Sequence, residues 1–131
     1  MNFLDRQLKS VLIKNLEKFP AVALLGPRQS GKTTLLQHIL PDYTYLNLED
    51  LEIRNFAAQD PKGFLNNYSQ NLIIDEAQRV PELFSYLQIE IDRPENKRKF
   101  VLSGSENFLL QQGIPNLLLA ELLFSHFYLI R

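Results

Sequence analysis

Apolar positions along the chain alternate between helical spacing and short unbroken runs. Phe3, Leu4, Leu8, Val11, Leu12 and Leu16 recur at spacings of three and four, which predicts one apolar helix face over residues 2–18, stopped by Pro20. Ala21 to Leu25 is a continuous apolar run, the pattern of a strand covered on both faces. After a glycine-containing turn, Lys32 to Leu40 reads as a helix ended by Pro41. Tyr43 to Leu48 alternates and is rich in aromatics, which predicts a strand. Residues 49–58 and 61–68 read as helical segments split by Pro61 and Gly63, and Asn71 to Ile74 as a second buried strand closed by Asp75 and Glu76. Pro81 suits the first turn of a helix running to about Ile91. Lys99 to Leu102 predicts a fourth strand, followed by SGSENF and a helix from about Glu106. Strands alternating with helices predict an α/β fold: a parallel sheet with right-handed crossovers and helices on both faces.

Composition mainly excludes. At 131 residues, with 45% apolar and 22% charged side chains, the chain suits one globular domain with a small core. A net charge of −1 gives no electrostatic ground for nucleic acid or an anionic membrane as partner. The absence of cysteine rules out disulfides and thiolate metal sites and suits a reducing cytoplasm. The N-terminus interleaves charges with apolar residues, unlike a signal peptide. The most apolar stretch, Leu117 to Ile130, is too short for a membrane helix and contains Glu121 and His126. A soluble, cytoplasmic protein with no membrane partner is expected.

Three segments carry chemistry. The first is GPRQSGKT, comprising Gly26, Pro27, Arg28, Gln29, Ser30, Gly31, Lys32 and Thr33, with Thr34 following. It matches G-x-x-x-x-G-K-[ST] between a predicted buried strand and a predicted helix, the setting of a phosphate-binding loop. Gly26 and Gly31 allow consecutive N–H groups to converge on phosphate oxygens, and the helix N-terminus adds partial positive charge. Lys32 is placed to reach β- and γ-phosphates, and Thr33 to offer its hydroxyl to Mg²⁺. The second segment, NLIIDEAQR, ends an apolar strand in two acids, the pattern of a Walker B strand: Asp75 to hold Mg²⁺ through water, Glu76 to polarise an attacking water. The plainer reading is that the acids cap the next helix. In the third, SGSENF, Ser103 or Ser105 is the candidate γ-phosphate sensor, Asn107 a further one, and Ser105 also suits a helix cap beside Gly104.

Other residues receive structural readings. Lys97, Arg98 and Lys99 read as a solvated turn, Arg28 and Arg79 as surface or interface cations, His38 as a residue favoured by a helix C-terminus, and Tyr43 and Tyr45 as strand packing.

GPRQSGKTTLL, YLNLED, DEAQRVPELF and VLSGSENFLL together resemble the prokaryotic AAA-domain ATPases, which pair an N-terminal P-loop domain with a C-terminal domain of poorly defined function. The resemblance covers about residues 1–113. It implies a three-layer P-loop NTPase domain of the additional-strand division, ATP and Mg²⁺ as cofactors, and the roles given above for Lys32, Thr33, Asp75 and Glu76. ATP hydrolysis is the activity implied. Two rivals are a nucleotide-binding or interaction module that does not hydrolyse, and a small-molecule kinase.

After Gly113 the resemblance stops. The family leads one to expect Ser-Leu-Ala-Gly-Arg, an apolar strand and a Leu-Pro-x-Ser turn, whereas residues 114–131 read IPNLLLAELLFSHFYLIR. Codons can be chosen for residues 115–131 that, read from the third base, give ESLAGRIAIFSFLPYS. One expectation is therefore a frameshifted, C-terminally incomplete member, with its arginine and last strand lost, hydrolysis impaired and a sheet edge exposed to self-association. The other is a natural tail that supplies a fifth strand.

Overall fold

The computed structural model describes residues 3–26, 32–105 and 127–129. Helix α1 (Phe3–Lys18) leads into strand β1 (Ala21–Gly26), followed by α2 (Lys32–Ile39), β2 (Thr44–Asn47), α3 (Leu51–Gln59), α4 (Pro61–Asn67), β3 (Leu72–Asp75), α5 (Leu83–Asp92), β4 (Phe100–Ser105) and β5 (Phe127–Leu129). The strands form one sheet in the order β2-β3-β4-β1-β5, and every ladder is parallel. β4 thus lies between β1 and β3, the additional-strand arrangement.

Two apolar layers sandwich this sheet. Val22, Leu24, Ile73 and Val101 face Leu12 and Leu16 of α1 and Leu36 and Ile39 of α2. Ala23, Leu46, Ile74, Phe100 and Leu102 face Ala57 of α3, Phe64 and Leu65 of α4, and Phe84, Leu87 and Ile91 of α5. Successive residues of a strand point to opposite faces, so Ala21–Leu24 of β1 and Leu72–Ile74 of β3 are apolar at every position to be covered twice. The fold is a three-layer α/β/α P-loop type.

Local chemistry sets the element ends. Asp50 caps α3, its carboxylate accepting from the N–H groups of Glu52 and Ile53. Asp60 both ends α3, donating its N–H to the Phe56 carbonyl, and caps α4, with Pro61 in the first turn. Gly63 does not break the helix as its residue type suggests: it lies inside α4, its N–H donated to the Asp60 carboxylate. Pro81 stands two residues before α5 and not in its first turn, because a 3₁₀ turn at Ala77–Arg79 intervenes after β3.

Arg98 corrects the reading of Lys97–Lys99 as a solvated turn. Its side chain is 16% exposed, ion-paired with Glu90 at 3.9 Å, and its guanidinium lies 4.9 Å from the centre of the Phe100 ring. Burial lowers its pKa, and the Glu90 charge opposes that shift. Lys99 donates to the Phe19 carbonyl at 3.3 Å. The strand edge expected to lie open is paired: β5 lies beside β1 from Ala23 to Leu25. Among the described residues, no helix is long and apolar enough to cross a membrane.

Candidate functional site

β1, β3 and β4 end at the same edge of the sheet. The register pairs Leu24 with Ser103 and Asn47 with Asp75, and continuing the Ile74–Leu102 pairing sets Asp75 beside Ser103. Ile73 and Val101, two residues earlier, belong to the α1/α2 layer, so Asp75 and Ser103 face the side from which α2 begins. Lys32 is the first residue of α2 and Thr33 the second.

Asp75 is 2% exposed and is the hub of the site. Its Oδ1 accepts from Ser103 Oγ at 2.6 Å and from the Glu76 N–H at 2.9 Å. Its Oδ2 accepts from Thr33 Oγ1 at 2.6 Å and from the Tyr45 hydroxyl at 2.5 Å. Charge-assisted bonds of this kind are the strong ones, and they offset the burial of an ionised group. The Thr33–Asp75 contact joins the two segments that the sequence singled out separately. Ser103, 1% exposed, is spent on Asp75 and so serves as a carboxylate holder in this structure.

Tyr45 is more than the packing residue its pattern predicts. Burial, first, then the hydrogen bond to Asp75 and the Asp75 and Glu76 charges raise its pKa well above 10, while the Thr33 hydroxyl pulls the other way. Sequence reasoning missed it, because its place beside Asp75 comes from the strand register: it pairs with Ile73, two residues before Asp75 and on the same face. Tyr43 does pack against the α1/α2 layer, and burial raises its pKa.

Glu76 adopts φ 54°, ψ 44°, and is the only non-glycine residue with positive φ among those described. Such a left-handed conformation costs about 1–2 kcal/mol for a side chain like glutamate. The conformation turns the chain out of β3 into the 3₁₀ turn, and Gln78 Nε2 then donates to Glu76 Oε2. Gln78 is 7% exposed and its Oε1 is buried with no hydrogen-bond partner among the described residues. Reversing the amide would set oxygen against carboxylate oxygen, so the donor orientation is the one that electrostatics permits. Arg79 forms a half-exposed pair with Glu49 at 3.9 Å.

Thr34 lies on the exposed side of α2. Gly26 ends β1, while Pro27, Arg28, Gln29, Ser30, Gly31 and Asn107 lie outside the described residues, as do the helix expected from Glu106 and the side chains of Lys32 and Ser105.

The G-x-x-x-x-G-K-T segment lies between β1 and α2, Thr33 meets a buried aspartate on β3, and β4 lies between β1 and β3. Residues 18–126 match the family described as AAA domain. The chain belongs to the AAA-domain family. It is also 37% identical, over 103 residues, to an uncharacterized protein of Mycobacterium bovis and equally to one of Mycobacterium tuberculosis. That alignment takes in 76% of this chain and 23% of each relative, so the chain spans under a quarter of their length. No solved structure matches it significantly. AAA domains are nucleotide-binding, ATPase-type domains, usually with Mg²⁺.

The residues present suit that ion. Among the described residues no three His, Cys, Asp or Glu side chains gather into a metal cage. Mg²⁺ needs none: it keeps several waters and is held by one or two carboxylates plus substrate phosphates. Thr33 Oγ1 and Asp75 Oδ2, both hard oxygens and 2.6 Å apart, supply that type of half-site.

Proposed function

We propose that this domain binds Mg·ATP at the edge of the sheet where β1, β3 and β4 end, and that the bound nucleotide is hydrolysed by water. The observation that carries the reading is the Thr33–Asp75 hydrogen bond, which brings the end of the phosphate loop onto the acid-terminated strand. In this scheme the backbone of residues 26–31 and Lys32 hold the phosphates, with Thr34 at the margin. Thr33 and Asp75 hold the metal, directly and through water. Mg²⁺, when bound, neutralises charge developing on the phosphates. Glu76 orients and deprotonates the attacking water, its carboxylate steadied by Gln78. Ser103 keeps the Asp75 carboxylate in its plane. Turnover is expected to be slow, because the sequence after Gly113 reads Ile-Pro-Asn where the resemblance would lead towards an arginine. A cysteine-free chain suits work in the cytoplasm.

Equilibrium binding of labelled ATP, with single-turnover hydrolysis, tests this. Lys32→Ala should abolish binding and leave the circular dichroism spectrum intact. Retained affinity in that variant sinks the phosphate-site assignment. Glu76→Gln should bind as the parent does but hydrolyse about 10²-fold more slowly or worse. Unchanged hydrolysis there would make the chain a binding module instead.

A further inference from the structure

An ionised carboxylate offers about four lone-pair positions. On Asp75 at least four donors among the described residues already meet them: Ser103 and the Glu76 N–H on Oδ1, Thr33 and Tyr45 on Oδ2. A magnesium ion that reaches this aspartate through one of its waters needs an acceptor position for that water. A donor on this carboxylate must therefore give way when the metal is loaded.

Three of those named are poorly suited to leave. The Glu76 N–H belongs to backbone fixed by the turn after β3. Ser103 is 1% exposed inside the sheet, so a hydroxyl turned away from Asp75 would find no water to bond. Thr33 can stay, since a hydroxyl donates its proton to the carboxylate while its lone pairs face a cation. Tyr45 differs in each respect. It sits on the outer strand β2 and is only partly buried, with its ring against the α1/α2 layer. A small rotation of the side chain withdraws its hydroxyl while the ring remains packed.

We propose that Tyr45 is a latch on the metal site: in the free protein its hydroxyl holds the position on Asp75 Oδ2 that a magnesium-bound water takes on loading, so Mg·nucleotide binding displaces the phenol. The inference rests on the Mg·nucleotide reading of this site and deepens it by naming the group that competes with the ion. A phenol is protonated, and therefore a donor, throughout the neutral range. The latch makes nucleotide alone and nucleotide with metal unequal ligands, because only the second must break a short hydrogen bond to a charged acceptor. A bond of that class is worth about tenfold or more in an equilibrium constant.

Tyr45→Phe removes the hydroxyl and keeps the ring, so the core is preserved. Binding of a fluorescent ADP analogue is followed as MgCl₂ is titrated, in the parent and in Tyr45→Phe, with EDTA-treated samples as the metal-free reference. Tyr45→Phe should reach half-saturation at Mg²⁺ lower by about tenfold or more, with metal-free affinity unchanged. An equal or higher Mg²⁺ requirement overturns the latch. A second readout uses the protein itself. The sequence has five tyrosines and no tryptophan, so tyrosine emission is unmasked, and a phenol bonded to a carboxylate is quenched. Adding unlabelled ADP with Mg²⁺ should raise emission in the parent by an increment missing from Tyr45→Phe, and equal increments overturn the proposal. Failure of the parent to bind nucleotide overturns the underlying reading and the latch together, whereas binding with a Mg²⁺ midpoint unmoved by Tyr45→Phe overturns the latch alone.

Discussion

Ser103→Ala deletes one oxygen atom, and the structure says what that atom is worth. The hydroxyl donates at 2.6 Å to Asp75 Oδ1, and donor and acceptor residues are 1% and 2% exposed, so water does not replace the lost bond. A hydrogen bond to a charged group contributes about 1.5–3 kcal/mol. The cavity left by one oxygen is too small to hold a water molecule. Oδ1 retains the Glu76 N–H, which favours the lower half of the range. For a chain of 131 residues, at about 2.1 cal/mol/K per residue, the unfolding entropy is about 0.28 kcal/mol/K, so Tm should fall by about 5–8 °C. Thermal and urea unfolding of the nucleotide-free protein measure this. Repeating the substitution in an Asp75→Asn background closes a double-mutant cycle. There the serine meets only a neutral oxygen, so its removal should cost about 1 kcal/mol less. A cost below about 0.5 kcal/mol, or one equal in both backgrounds, would refute the carboxylate-holding role. It would also return Ser103 to the phosphate-sensing role, in which the stability of the free protein is indifferent to the hydroxyl.

Gln78→Leu removes the donor to Glu76 and with it a buried amide oxygen that has no partner among the described residues, so Tm should hold or rise while hydrolysis slows and nucleotide affinity changes by less than about twofold. In a Glu76→Gln background the same substitution should slow nothing further, and additive losses would show that Gln78 acts elsewhere. Gly63→Ala should change stability by less than about 0.5 kcal/mol: alanine gains about 1 kcal/mol of helix propensity, but its Cβ would collide with the Asp60 capping carboxylate, whose loss costs about as much. With Asp60→Ala already present, urea unfolding should show the full gain. The phenol of Tyr45 binds its proton more tightly in the folded chain, so the stability it adds is complete below pH 10 and is lost as pH rises from there through the folded value. Urea midpoints measured across that window should fall less steeply in Tyr45→Phe, with the buried phenol of Tyr43 retaining part of the slope.

Reading the chain from periodicity works here because strands β1 and β3 are covered on both faces. Ala21–Leu24 and Leu72–Ile74 are buried throughout, so their unbroken apolar runs admit few other interpretations. Element ends were less legible. Gly63 resembles a helix breaker by residue type, but its N–H is satisfied by an aspartate three residues earlier. The distance from Pro81 to α5 follows from the left-handed backbone at Glu76, a conformation that glutamate's propensities do not announce. Arg98 lies in a charged triplet, which reads as solvated. Its placement depends on Glu90, on a helix, and on the Phe100 ring two residues ahead.

For the site, the local sequence by itself picked out the G-x-x-x-x-G-K-T segment, the two adjacent acids and the strands that precede them, because each is a contiguous pattern. What only the tertiary structure decided is who shares Asp75. Thr33, Tyr45, Ser103 and the Glu76 N–H come from α2, β2, β4 and the turn after β3. Their meeting depends on strand order and register, which bring residues 28 to 42 positions apart within about 2.6 Å, and no short-range pattern in the chain encodes such distances.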